Sequence, residues 1–139
     1  MQFDHENPVV KLCAEGMMAE AEENDAAKDL FEKAWVTASS DFEKFVAAHY
    51  MARHQQDKSE NLKWNEISLM HAMAMGDDTV KPYYPSLYLN VGKSYEDLGD
   101  HAAAKKNYLL AKNYVAYLAD DGYGRMIAAG IEAGISRCP

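Results

Sequence analysis

An all-helical fold of about seven helices is what this sequence predicts, and three observations lead there. Apolar residues recur at three- and four-residue spacings along nearly the whole chain, without the sustained alternation that marks strands. Leu, Ala, Met, Glu and Lys are plentiful, and the four prolines and eight glycines cluster at places that read as boundaries. Capping residues stand at intervals that divide the chain into three helical hairpins and one further C-terminal helix. At 139 residues the chain is expected to form a single domain over residues 1–139, long enough to bury a core.

Asn7-Pro8 opens the first helix, with asparagine as N-cap and proline in the first turn, where its missing N–H does no harm. That helix should run to about Glu22. Asn24 and Asp25 supply the break and the next cap, and the stripe Ala27, Phe31, Ala34, with Leu30 and Trp35 beside it, predicts a second helix to about Ala38. Ser40 with Glu43 is a capping-box signature for the third helix, whose expected core face is Phe42, Phe45, Ala48 and Ala52. Asp57 with Glu60 opens the fourth, read as having two apolar faces: Leu62, Glu66, Leu69 and Met73 on one, Trp64, Ile67 and Met70 on the other. Pro82 fits the first turn of the fifth helix, and Pro85 is expected to remove a ladder bond and bend its start.

The stretch from Ser86 to Ala116 holds the most regular spacing. Tyr88, Val91, Gly92, Tyr95 and Leu98 form one helical face; Gly99 and Asp100 stop that helix and cap another; Ala104, Tyr108 and Ala111 face back at the first. Gly92 and Ala104 permit a close crossing while the tyrosines fill the volume around it. The sixth helix should reach Tyr117. The run Ala119-Asp120-Asp121-Gly122 then caps a seventh, from about Tyr123 to Arg137, carrying Met126, Ile127, Ile131 and Ile135.

Tyr88, Val91, Gly92, Tyr95, Ala104 and Tyr108 fill the slots of the tetratricopeptide repeat, W-x2-L-G-x2-Y followed by A-x3-F, without its closing proline, and the chain resembles that family. The first hairpin matches with Gly16 one place from where the pattern wants it, and His49 takes the glycine slot of the middle hairpin, which predicts a wider crossing there. From Ala27 to Leu62 is about 35 residues, near the family's period of 34, and from Leu62 to Ala104 about 42, which implies extended helices around Gly76-Asp77-Asp78. The resemblance implies a right-handed superhelical stack of three hairpins closed by the last helix. It also implies a groove lined by first helices, with Tyr50, Arg53, His54, Leu89, Asn90, Lys93 and Asp97 facing inward and Val9, Leu12 and Cys13 extending the strip. Asn90, Lys93 and Arg53 match part of the set with which relatives grip a C-terminal carboxylate. Arg53, with no acid near it on its own helix except Asp57, is expected to be free for a ligand.

Function classes are bounded by charge and by missing motifs. Fourteen basic against twenty-two acidic side chains give a net charge of −8, which repels nucleic acid and acidic membrane surfaces. No apolar run is long enough to span a bilayer, and the N-terminus is acidic where a secretory signal is basic, so a cytoplasmic protein is expected. Cys13 and Cys138 fit neither a metal knuckle nor a redox pair. His49 and His54 are five apart, against the four-residue spacing of a helical zinc pair, and no nucleophile elbow, phosphate loop or dinucleotide fingerprint occurs. The expected function is therefore non-catalytic binding, without cofactor or metal, of a protein or peptide such as an acidic tail or C-terminal segment. The alternative is homo-oligomerisation through the outer helices, where Trp35, Trp64 and the methionines would be exposed.

Overall fold

The Asn7 carboxamide accepts from the backbone N–H of Val9 and Val10, and the helix it starts, α1 (Pro8–Ala21), ends one residue short of expectation. In the computed structural model, which describes residues 4–139, six further α-helices follow: α2 (Ala26–Thr37), α3 (Asp41–Arg53), α4 (Lys58–Met75), α5 (Tyr84–Asp97), α6 (His101–Lys112) and α7 (Gly122–Arg137). Short 3-10 helices at Asp78–Tyr83 and Val115–Tyr117 complete the secondary structure, and the described residues contain no strand. The acidic start read against a secretory signal lies partly outside the described residues. Contacts divide the chain into two compact units, the first ending at Met75 and the second beginning at Gly76.

Most local signals act as their chemistry requires. Ser40 and Glu43 form the reciprocal capping box, Asp57 accepts from the N–H of Ser59 and Glu60, and Asp121 accepts from Gly124 at 2.7 Å. Gly99 ends the α5–α6 connection at φ +85°, and Asp100 caps α6 through Ala103 N–H. Pro85 differs from expectation. It lies in the first turn of α5, where its missing N–H has no ladder partner to lose, and Pro82 is taken up by the preceding 3-10 helix. The stretched spacing is thus shared between a long α4 and a 3-10 turn. α6 also stops early, at Lys112, and Tyr114 just beyond it packs on Tyr84 and Tyr88.

In the first unit α1 pairs with α2 and α3 with α4, while α3 also packs on both α1 and α2. The centre of the first hairpin is Phe31, fully buried, against Gly16: a Cβ on that glycine would sit inside the ring's van der Waals envelope. Gly16 is therefore the crossing glycine, and its one-place offset arises because Phe31 stands nearer the start of α2 than Tyr108 stands to the start of α6. The middle hairpin departs from expectation on α4. Its buried face is Asn65, Ser68 and Ala72, whereas Leu62, Leu69, Trp64 and Ile67 flank it half-buried and Glu66, Met70 and Met73 are exposed. Nor is the crossing widened around His49. Small α4 residues bring the helices together, and the Ser68 hydroxyl donates to the Phe45 carbonyl at 2.9 Å, backbone that only a close approach can reach.

In the second unit α5 and α6 form the hairpin and α7 packs on both. Tyr108, fully buried, lies between two glycines: a Cβ on Gly92 would fall 2.8 Å, and one on Gly134 2.7 Å, from its ring atoms. Ile127 and Ile131 are buried as expected, but Met126 is 60 % exposed, on the face of α7 turned away from α5 and α6.

Leucine in place of Gly16 or Gly92 should destabilise the protein by about 2 to 4 kcal/mol, since neither ring can retreat from a fully packed site. Gly122→Ala, with nothing near its Cβ position, should stay within about 0.5 kcal/mol in the same urea titrations.

Candidate functional site

Three of the residues expected to line a groove are spent on joining the end of α3 to α1 and α2. Tyr50 stacks on Phe31 with ring centroids 5.1 Å apart, and His54 lies against the same ring at 5.0 Å. Glu20 of α1 receives both Arg53, at 2.9 Å, and His54 Nε2, at 2.6 Å, while the Arg53 guanidinium also covers the Tyr50 ring. The expectation that Arg53 is free for a ligand is therefore corrected: its acidic partner comes from another helix. Val9 and Cys13 are buried in the core, which removes them from any exposed strip, and burial pushes the Cys13 thiol up to about 12, far from a nucleophile's range. At the other end of the same two helices, Asn7 Nδ2 donates to Glu43 at 3.0 Å. α1 and α3 consequently run side by side in one direction, tied at both ends.

The second unit repeats this arrangement. Glu96 of α5 receives Arg137 of α7 through Nε at 2.8 Å and through a second guanidinium nitrogen at 3.2 Å, and accepts from the Tyr108 hydroxyl at 2.7 Å. Further back, Gly130 of α7 faces Leu89 of α5. These contacts again set alternate helices parallel. Leu89, expected in the groove, instead packs with Tyr95 and Ile135 around Ala104, Tyr108 and Cys138 beneath α7. Asn90 is half-buried, and Lys93 and Asp97 are exposed.

Glu20 and Glu96 were not singled out from the sequence, although a signal existed: each stands four residues after the crossing glycine of its hairpin, Gly16 or Gly92. Arg53-His54 and Arg137-Cys138 likewise occupy matching places at the ends of α3 and α7. Other histidines have local partners. His71 Nδ1 meets Asp41 at 2.9 Å, and His101 Nδ1 lies 3.7 Å from the buried Cys138 sulfur. Among the described residues no three His, Cys, Asp or Glu side chains converge as a metal site would require, and no helix is long and apolar enough to cross a membrane. No family model, curated protein or solved structure matches the chain.

Three groups make stability depend on pH below neutrality, and one of them, Glu43, is held at about 2 chiefly by the Ser39 backbone N–H. Hydrogen bonds from Arg137 and then Tyr108 hold the Glu96 carboxyl at about 2, below its ordinary 4.5, so its stabilisation is full above about 4.5 and is lost as pH falls towards 2. Burial, helped by the Arg53 charge, lowers His49 to about 4, so between about 6.5 and 4 the unfolded chain takes up a proton that the folded chain refuses. His49→Leu should flatten the stability profile from pH 6.5 to 4, and Glu96→Gln should make it shallower below 4.5, leaving the part that Glu43 contributes, while lowering stability at pH 7. Urea midpoints at stepped pH check both, and profiles parallel to the unmodified protein would refute the assignments.

Proposed function

We propose that this chain is a non-catalytic protein- or peptide-binding scaffold built from tetratricopeptide-like hairpins. One observation carries the reading: in each unit the first helix of a hairpin lies parallel to the helix that follows the hairpin, clasped to it by a glutamate four residues beyond the crossing glycine. Helices paired in this way present adjoining faces to a ligand, and that is how hairpin repeats build recognition surfaces. The seam between α5 and α7 is the better candidate. On α5 it is bordered by Asn90, Lys93 and Asp97, and on α7 by Gly130 and the exposed Ala133, small residues beside which an extended peptide meets little obstruction. Lys93 then offers a cation to an acidic or C-terminal segment, in a chain whose net charge is −8. The α1–α3 seam serves instead to hold its unit together.

A second reading, self-association through the outer helices, draws on Met70 and Met73 of α4, 55 % and 52 % exposed. Trp35 and Trp64 do not support it, because they pack edge to face on each other at 4.9 Å against the core.

Selection of a random peptide library on the full chain, followed by calorimetric titration of the enriched sequences, tests the proposal. Lys93→Glu should weaken their binding about tenfold, or about 1.4 kcal/mol, with melting unchanged, whereas Arg53→Glu should lower stability by up to about 1 kcal/mol, as for a partly exposed ion pair, and leave binding intact. Enriched peptides indifferent to Lys93→Glu, together with a dimer in sedimentation that Met70→Lys abolishes, would favour the second reading.

A further inference from the structure

Four tyrosines form a continuous run of rings beside the start of α5. Tyr88 stacks on Tyr114 with centroids 6.0 Å apart and planes within 9°, Tyr84 lies against both, and Tyr117 continues the run beyond Tyr114. Burial falls off along it. Tyr88 is buried, Tyr84 and Tyr114 are half-buried, and Tyr117 is 46 % exposed. Packing of the second unit accounts for the inner rings and leaves the outermost one unexplained.

The face of Tyr117 is covered by a cation from the chain itself. Lys81 Nζ lies 5.4 Å from the ring centroid and 2.9 Å from Asp78 Oδ1. Asp78 and Lys81 are three residues apart on a 3-10 helix, where such positions eclipse, so the carboxylate is carried to the same side as the ammonium. An ammonium between an aromatic face and a carboxylate is the arrangement by which a protein recognises a lysine or arginine side chain. The contact is also open to exchange: Lys81 and Asp78 side chains are 36 % and 90 % exposed. Four carboxylates border it in sequence, Asp77 and Asp78 before Lys81 and Asp120 and Asp121 after Tyr117. Asp120 is paired with Arg125 at 3.0 Å, and Asp77 and Asp121 accept backbone N–H bonds but keep their charge, so the segments stay net negative against Lys81 and Arg125. Charge complementarity therefore selects a cationic occupant.

We propose that the Tyr117 face and the Asp78 carboxylate form a docking site for a lysine or arginine side chain of a basic peptide segment, with Lys81 as the internal competitor that an incoming cation displaces. The displaced ammonium passes into water, where a lysine is well solvated, so exchange replaces one cation–π contact by another and the gain comes from the rest of the incoming segment. The site does not involve Lys93 or the α5–α7 seam, and it stands or falls separately from the function proposed above.

The test is a titration of the full chain, at low ionic strength, with acetyl-Gly-Lys-Gly-Lys-Gly-amide, followed by the ring signals of Tyr117 in NMR. A peptide with norleucine in place of both lysines serves as the neutral comparison. The lysine peptide should move the Tyr117 signals and the norleucine peptide should not. Lys81→Gln should tighten binding by about two- to fivefold, the range set by an exposed cation–π contact, and Tyr117→Leu should abolish it while the Tyr108 signals, which report the core, stay in place. Equal shifts from the norleucine peptide would mean apolar stacking, as of a proline-rich segment, and would overturn the proposal. So would an affinity unchanged by Lys81→Gln, or no response to the lysine peptide in either protein.

Discussion

A fully buried aromatic ring resting on a glycine is the contact on which each unit depends. Phe31 sits on Gly16, and Tyr108 sits between Gly92 and Gly134, at separations that leave no room for a Cβ. The arrangement brings two helix backbones together and fills the remaining volume with one rigid group, which gives a small core the density of a larger one. Each ring is worth roughly 1.5 to 3 kcal/mol when buried. Its larger effect is geometric, because a helix fixed at the ring can cross its partner in only one register. The next helix is then placed by the other side of the same ring, through Tyr50 and His54 of α3 on Phe31 and through Gly134 of α7 on Tyr108.

Charge is arranged around those crossings. Glu20 and Glu96, four residues past the glycines, close the far end of each parallel helix pair against an arginine, and neither clasp is deeply buried. Their contribution to stability is modest for that reason. Their contribution to specificity is greater, since a helix that slid by one turn would leave the carboxylate without its partner. The second clasp includes the Tyr108 hydroxyl, so there the polar closure and the packed ring are one object, while Phe31 has no hydroxyl and His54 takes the corresponding place beside Glu20.

The middle hairpin shows what happens when the ring-on-glycine contact is absent. With His49 where a glycine would be, α4 approaches α3 through Ser68 and Ala72, and Asn61 donates to the Ala52 carbonyl at 2.8 Å. Polar side chains that reach backbone carbonyls stand in for the small-residue contact. The leucines, Ile67 and Trp64 of α4 are left to the flanks, and Met70 and Met73 to solvent.

The sequence by itself determined the helical class, nearly every helix start, the turns at Gly99 and Asp121 and the close crossing of Gly92 with Ala104, with Tyr108 filling the space beside it. Each of these rests on interactions within a few residues or on a spacing repeated along one helix, and such information is local. Only the tertiary structure decided the partners of Arg53 and His54, the packing of Leu89, the working face of α4 and the end of α6 at Lys112. A helical wheel states which residues share a face, but not which helix will lie over it. Glu20 and His54 are separated by 34 residues and Glu96 and Arg137 by 41, and nothing in their local surroundings pairs them. Those pairings follow once the buried rings have fixed how the helices cross, and that geometry is a property of the packed chain.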